Sequence, residues 1–280
     1  NIKNLNTTGK NSSQYKSSPQ IELMSLYSFN SSYPLIKEEE KHNKYLVPKL
    51  SLKINPHDMK NYSSTKKNIN TTNIFDNNRL GLSDSFETGE SLTLGFNYKR
   101  EQKNNLNNFL DINLATLFRI NEEEFIPSNT TINKKNSNVF GNIKTSFNEL
   151  IDINYNFAID NNYNKFEFNE FDGVFKFGKI YTEINFLKES NSMGGESFIG
   201  NNTTFIVDDN NSFSFSARRN RKLDLTEYYN LVYEYKNDCL TAGVKYNKTY
   251  YEDRDLKPSE NLFFSITLIP IGEYEQKITD

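Results

Sequence analysis

Apolar and polar residues alternate with a period of two along most of this chain. Across residues 150–159, Ile151, Ile153, Tyr155, Phe157 and Ile159 share one parity, while Asp152, Asn154, Asn156 and Ala158 share the other. Successive side chains of an extended strand point to opposite faces, so this spacing predicts a strand with one apolar and one polar face. The same reading applies to Leu92, Leu94, Phe96 and Tyr98, to Leu110, Ile112, Leu114 and Phe118, and to Leu240, Ala242, Val244 and Tyr246. In the second of these the other parity reads Asp111, Asn113, Ala115 and Leu117.

The pattern predicts about 13 strands of roughly ten residues each. They fall near 20–29, 44–54, 90–100, 107–120, 138–147, 150–159, 163–171, 174–187, 199–207, 211–218, 226–236, 239–249 and 261–271. Short turns are expected at Asn148 and Glu149, at Asp172 and Gly173, at Asp208 to Asn211, and at Asn237 and Asp238. Long connections are expected at 55–89, 121–137, 188–198, 219–225 and 250–260, alternating with the turns. Two connections break that alternation: 30–43 is too long and 160–163 too short. Strands of this length cross a bilayer when tilted, and alternating short turns and long loops are the habit of outer-membrane barrels. The expected fold class is all-β, an antiparallel transmembrane β-barrel.

Composition sharpens this picture. Phe (22) and Tyr (17) sit among Asn, Ser, Lys and Asp, with no Trp and a mean hydropathy of −0.75. That mixture suits strands wet on one face and greasy on the other. The longest apolar stretch, Leu262 to Ile271, is interrupted by Ser265, Thr267 and Pro270, so no transmembrane helix is expected. Thirty-three basic and 36 acidic residues leave a net charge of −3, which provides no footprint for nucleic acid. The Asn-x-Ser/Thr triplets, such as Asn129 to Thr131, read as chance in an Asn-rich chain. The first residue is Asn1, with no leader pattern after it, and the chain reads as a fragment.

Candidate chemistry is sparse. His42 and His57, the two histidines, fall in predicted connections without paired-ligand spacing, so neither a metal, a cofactor nor an enzyme activity is expected. Arg218, Arg219, Arg221 and Lys222 cluster at a predicted strand end, where they read either as contacts to lipid phosphates or as a solvated loop. Asp208 to Asn211 reads as a turn, since calcium would need a fuller oxygen set. Glu38, Glu39 and Glu40 before Lys41 read as an exposed connection. Cys239 is the single cysteine; it is either a lone thiol or a partner for sequence outside this chain. If the short turns are periplasmic, Cys239 stands in an oxidising compartment.

Two segments resemble the LptD family of lipopolysaccharide-assembly barrels. In the first, Phe75, Asn78, Arg79, Gly81 and Asp84 precede the strand Ser91 to Tyr98. In the second, Tyr233 to Asp238 lead into Cys239, followed by Tyr250, Tyr251, Asp253, Arg254, Asp255, Pro258 and the strand Leu262 to Gly272. The resemblance is strongest over 44–100 and 213–273, and the family barrel has twice the strands counted here. It implies a partial barrel, the C-terminal part of a larger one, over 20–273, with a loop or flexible segment at 1–19 and a tail at 274–280. It further implies that lipopolysaccharide leaves through a lateral seam, one side of which is a last strand carrying Leu262, Phe264, Ile266, Leu268 and Pro270. Pro270 lacks an N–H and would either weaken the seam or merely end the strand. Cys239 matches a family cysteine bonded to a periplasmic domain, although Asp238 and Leu240 flank it where some members carry adjacent cysteines. The implied partners are lipopolysaccharide, a plug lipoprotein of the LptE type, periplasmic Lpt bridge proteins reached through an N-terminal domain, outer-membrane lipid and the barrel-assembly machinery. The implied compartment is the Gram-negative outer membrane.

Two other classes fit the alternation. A general outer-membrane porin would need a complete barrel in one chain, and a soluble all-β glycan-binding module would turn its apolar faces onto a packed protein core.

Overall fold

The computed structural model describes residues 2–7, 20–190, 192–250, 257–268 and 272–277. Its strands are β1 (Ile2–Thr7), β2 (Gln20–Ser25), β3 (Tyr27–Ser32), β4 (Leu35–Glu38), β5 (His42–Asn55), β6 (Gly89–Gln102), β7 (Asn105–Arg119), β8 (Val139–Phe147) and β9 (Ile151–Ile159). They continue as β10 (Phe166–Phe177), β11 (Ile180–Glu189), β12 (Ser197–Ile206), β13 (Asn211–Asn220), β14 (Leu225–Lys236), β15 (Leu240–Thr249), β16 (Ser259–Leu268) and β17 (Gly272–Lys277). Strands β1 and β2 pair with each other, and the rest form a 15-stranded sheet in which β3 and β4 both pair with β5 and the strands from β5 to β17 follow chain order. The expected antiparallel all-β fold is thus present.

The chain divides into two units, Asn1–Lys144 with Asn156–Asn169 and Glu189–Gly195, and Thr145–Tyr155 with Glu170–Lys188 and Glu196–Asp280. In the first unit the alternation is inverted relative to a water-soluble protein. On β5 and β6 the polar residues Ser51, Lys53, Asn55, Ser91 and Thr93 are buried, while Leu52 (40%) and Leu94 (39%) stay exposed. The second unit has no fully buried hydrophobic side chain among its described residues. Phe205, Phe213, Phe215 (42%), Leu231 (49%), Val244 and Phe264 line its exposed apolar face. On the opposite face short polar side chains bond across strands: Asn230 to Ser216 at 3.2 Å, Asn247 to Asn230, and Thr204 with Ser214 at 2.8 Å. An exposed apolar face of this extent suits an apolar medium, and among the described residues of this unit there is no packed core of the kind the soluble glycan-binding reading expects.

Several local readings are revised. The irregular connection 30–43 is two short strands, both paired with β5: Tyr27–Ser32 lie along Ile54–Lys49, and Leu35–Glu38 along Leu46–Asn43. The break between them falls at Tyr33 and Pro34, opposite Pro48, where neither proline has an N–H to donate. The true turn lies at 39–41, a short connection where one was expected. Asp172 and Gly173 are not a turn but lie inside β10, and the turn falls at Gly178 (φ +58°). Gly173 instead leaves room for rings, since a Cβ there would stand 2.9 Å from Phe171 and 2.8 Å from Phe175. His42 opens β5 rather than lying in a connection.

Both ends of the chain also differ from expectation. Residues 2–7, expected within a loop, pair with β2. The strand expected to be last, carrying Leu262, Phe264, Ile266 and Leu268, is β16, and it has β15 on one side and β17 on the other. The end of the sheet is therefore β17, formed by residues partly assigned to a tail. The alternation of β17 was hidden by its shortness and by its Glu and Gln residues. Pro270 lies outside the described residues.

Candidate functional site

Two long connections of the first unit, 56–88 between β5 and β6 and 120–138 between β7 and β8, lie over the polar face of these strands as a cover. Met59, Ile69, Ile74, Leu80, Leu82, Ile126 and Ile132 from the connections form one buried cluster with Ala115 and Leu117 of β7, Phe140 of β8 and Ala158 of β9. Ala115, Leu117 and Ala158 occupy the parity that is otherwise polar, so each is an apolar residue on the wet side that finds an apolar partner in the cover. The two connections are also tied to each other. Tyr62 N–H donates to the Phe125 carbonyl at 2.9 Å, and the Asn129 side chain donates to the Lys67 carbonyl at 2.7 Å.

The residues of the loop motif hold the cover down. Arg79 is 4% exposed and spends all five of its N–H bonds. Nε donates to Glu87 at 2.6 Å; Nη1 donates to the Ile74 carbonyl at 3.2 Å and to Thr93 Oγ1 at 3.0 Å. Nη2 donates to Ser91 Oγ at 2.9 Å and to the second Glu87 oxygen. Burial pulls the Arg79 guanidinium down to about 9, still above neutrality, so it remains a cation. Arg119, at the end of β7, also pairs with Glu87 and donates to the carbonyls of Ile132 at 2.5 Å and Thr88 at 2.9 Å. Lys53 donates to the Asp76 carbonyl. One carboxylate, Glu87, with its side chain only 9% exposed, thus joins a cation of the cover to a cation of the sheet.

The other motif residues shape the loop. Asn78 closes a turn in both directions, donating to the Leu82 carbonyl at 2.8 Å and accepting from its N–H at 2.9 Å. Gly81 supplies the left-handed conformation within that turn, at φ +62°. Asp84 is buried and accepts from the Tyr62 hydroxyl. Phe75 packs over Gly95 of β6, where a Cβ would stand 2.9 Å from its ring, and Lys49 lies 5.8 Å from the ring centre. Sequence reading grouped these five residues but not Glu87, Arg119 or Lys53. The signal for them was a charge, or a run of polar residues, at the end of a strand that enters a long connection.

The structure separates the remaining candidates. Arg218 on β13 lies 4.0 Å from the Phe198 ring centre and is paired with Glu227 at 2.8 Å. Arg219 pairs with Asp224 at 2.5 Å, and Arg221 stands 5.3 Å from the Phe186 ring centre. Lys222 donates its backbone N–H to the Asn220 side chain at 3.1 Å. These four cations do not converge on one point. Cys239 is free and exposed in the turn before β15, its N–H bonded to Asn237 at 3.0 Å. Asp208 accepts from the Asn211 side chain at 2.7 Å and from the N–H groups of Asn210 and Asn211, both at 2.9 Å, and these bonds, the Asn211 side chain first, hold its carboxyl below the ordinary aspartate value.

The solved structures similar to this chain include three mutant forms of the Rhodopseudomonas blastica porin, each 6% identical to it. Their TM-scores are 0.35, 0.36 and 0.36; they cover 89%, 92% and 99% of this chain and 81%, 85% and 91% of the porin chains. Comparison with curated proteins gives no match. The profile of the LPS transport system D family, LptD, matches residues 1–192, which include the cover and the whole Phe75 to Asp84 motif and end before Cys239. With the match spanning more than half of its residues, the chain belongs to the LptD family of LPS transport proteins.

Proposed function

We propose that this chain is a non-enzymatic part of the Gram-negative outer-membrane translocon that inserts lipopolysaccharide into the outer leaflet. The observation that carries the reading is the inversion of faces in a member of an LPS transport family: apolar residues such as Phe215 and Leu231 are exposed, and polar residues such as Ser51 and Thr93 are buried. In such a wall, sugars and phosphates travel along the polar face while acyl chains slip sideways into lipid. The slip needs a seam between strands, narrow or brief because unpaired backbone groups are costly in lipid. This reading puts the seam at β17, the last strand of the sheet among the described residues, rather than at β16. Within this reading Cys239 bonds to a periplasmic domain, a plug lipoprotein of the LptE type occupies the lumen, the periplasmic Lpt bridge delivers the lipid, and the barrel-assembly machinery inserts the protein.

Depletion of the full-length protein in cells tests this. Newly made lipopolysaccharide should fail to reach the cell surface and should accumulate behind the outer membrane. Arrival at an unchanged rate would overturn the proposal.

A further inference from the structure

The polar face of the second unit carries a cleft of about 460 Å³, within the roughly 300–1,000 Å³ typical of small-ligand sites. Gly200 is one of its lining residues: a Cβ there would make only ordinary contacts, 3.8 Å from the Ala217 carbonyl oxygen and 3.9 Å from Asn185, so a longer side chain at this position would extend from the lining into the cleft. Ser216 and the exposed Asn202 amide border this gap, with Tyr228 at its edge. Asn185 lies beside it and is oriented by a bond to Asp172 at 2.8 Å.

The charges decide what fits. Arg218 lines the cleft, but Glu227 already neutralises it and the Phe198 ring fixes its plane. The Asp172 carboxylate lies in the same wall. A free phosphate or carboxylate would therefore meet one compensated cation and one anion, which is a poor anion site. What remains is a set of amides, hydroxyls and an immobilised guanidinium beside aromatic rings. Such groups match the hydroxyls and ring faces of a sugar.

We infer that this cleft is a way-station for neutral sugar units of the transported glycolipid, and not a contact for its phosphates. The inference rests on the LPS-translocation reading and adds to it the chemical class that the β11–β14 wall recognises.

A photoreactive residue placed at Asn202 of the full-length protein in cells tests it, with Phe215 on the apolar face as the control position. Glycolipid carrying its complete sugar chain should be captured at Asn202, and glycolipid truncated to its phosphorylated base should be captured about tenfold less, the loss that goes with about one net hydrogen bond. Gly200→Leu should lower Asn202 capture by a similar factor. Equal capture of both lipids would overturn the inference, as would absence of capture at Asn202 while glycolipid still reaches the surface, or undiminished capture in a folded Gly200→Leu protein. If Gly200→Leu does not fold, the comparison of the two lipids at Asn202 decides. Surface arrival that does not depend on the protein would instead defeat the translocation reading itself.

Discussion

Arg79 and Glu87 meet as a two-point fork, Nε to Oε2 at 2.6 Å and Nη2 to Oε1, across the turns that join the cover to β6. Lysine has no planar fork and cannot serve Glu87, Ile74, Thr93 and Ser91 together. Arg79→Lys should therefore loosen residues 56–88, and limited proteolysis of the folded protein should cut there sooner than in the wild type.

Glu87→Gln should be worse, because Glu87 is the anion shared by Arg79 and Arg119. Removing one partner of a buried pair costs about 3–5 kcal/mol. Urea unfolding in lipid vesicles should show a loss of that size. An unchanged midpoint would mean that the cover is held by its apolar cluster alone.

Gly95 tests the contact beneath Phe75. A Cβ at this position would stand 2.4 Å from the Leu114 carbonyl oxygen, which is backbone and cannot swing aside. Gly95→Ala should cost about 1–3 kcal/mol by overpacking and disturb amide protection along the β6–β7 ladder.

Phe215 and Ser216 are neighbours on β13 with opposite faces. Arginine at Phe215 should cost about 2–4 kcal/mol if the strand centre sits at the bilayer midplane, whereas arginine at Ser216 should cost little. Equal penalties in vesicle refolding would refute the assignment of faces.

Asp208 gives a pH signature in the 207–210 turn. Its carboxyl is held low by hydrogen bonds, so the folded turn favours the charged form. That stabilisation is complete above the ordinary aspartate range and is lost as pH falls through the depressed folded value. Hydrogen-exchange protection of Asn210 and Asn211 should fall on acidification, and Asp208→Asn should remove the dependence.

Most of the sheet was legible because a period of two is a strong signal wherever one face is apolar. Misreadings arose where another constraint used the same residues. At Asp172 and Gly173 a turn-like pair serves ring packing between Phe171 and Phe175, and at Tyr33 and Pro34 a missing donor splits a strand in two. The cover was half visible. Its motif could be recognised from Phe75 to Asp84, but its docking partners are long-range, and spacing along the chain carries no information about Arg119 meeting Glu87. Leu117 was the overlooked clue, an apolar side chain on the wet parity that turns out to be wholly buried.

On the proposed membrane reading, the second unit, which has no buried hydrophobic side chain among its described residues, draws its cohesion from hydrocarbon outside it. Its melting behaviour should accordingly track acyl-chain length and fluidity of the host bilayer. On the proposed outer-membrane reading, Phe213 and Leu231 stay uncovered until lipid meets them, so the unlipidated chain should aggregate in water unless a chaperone is added.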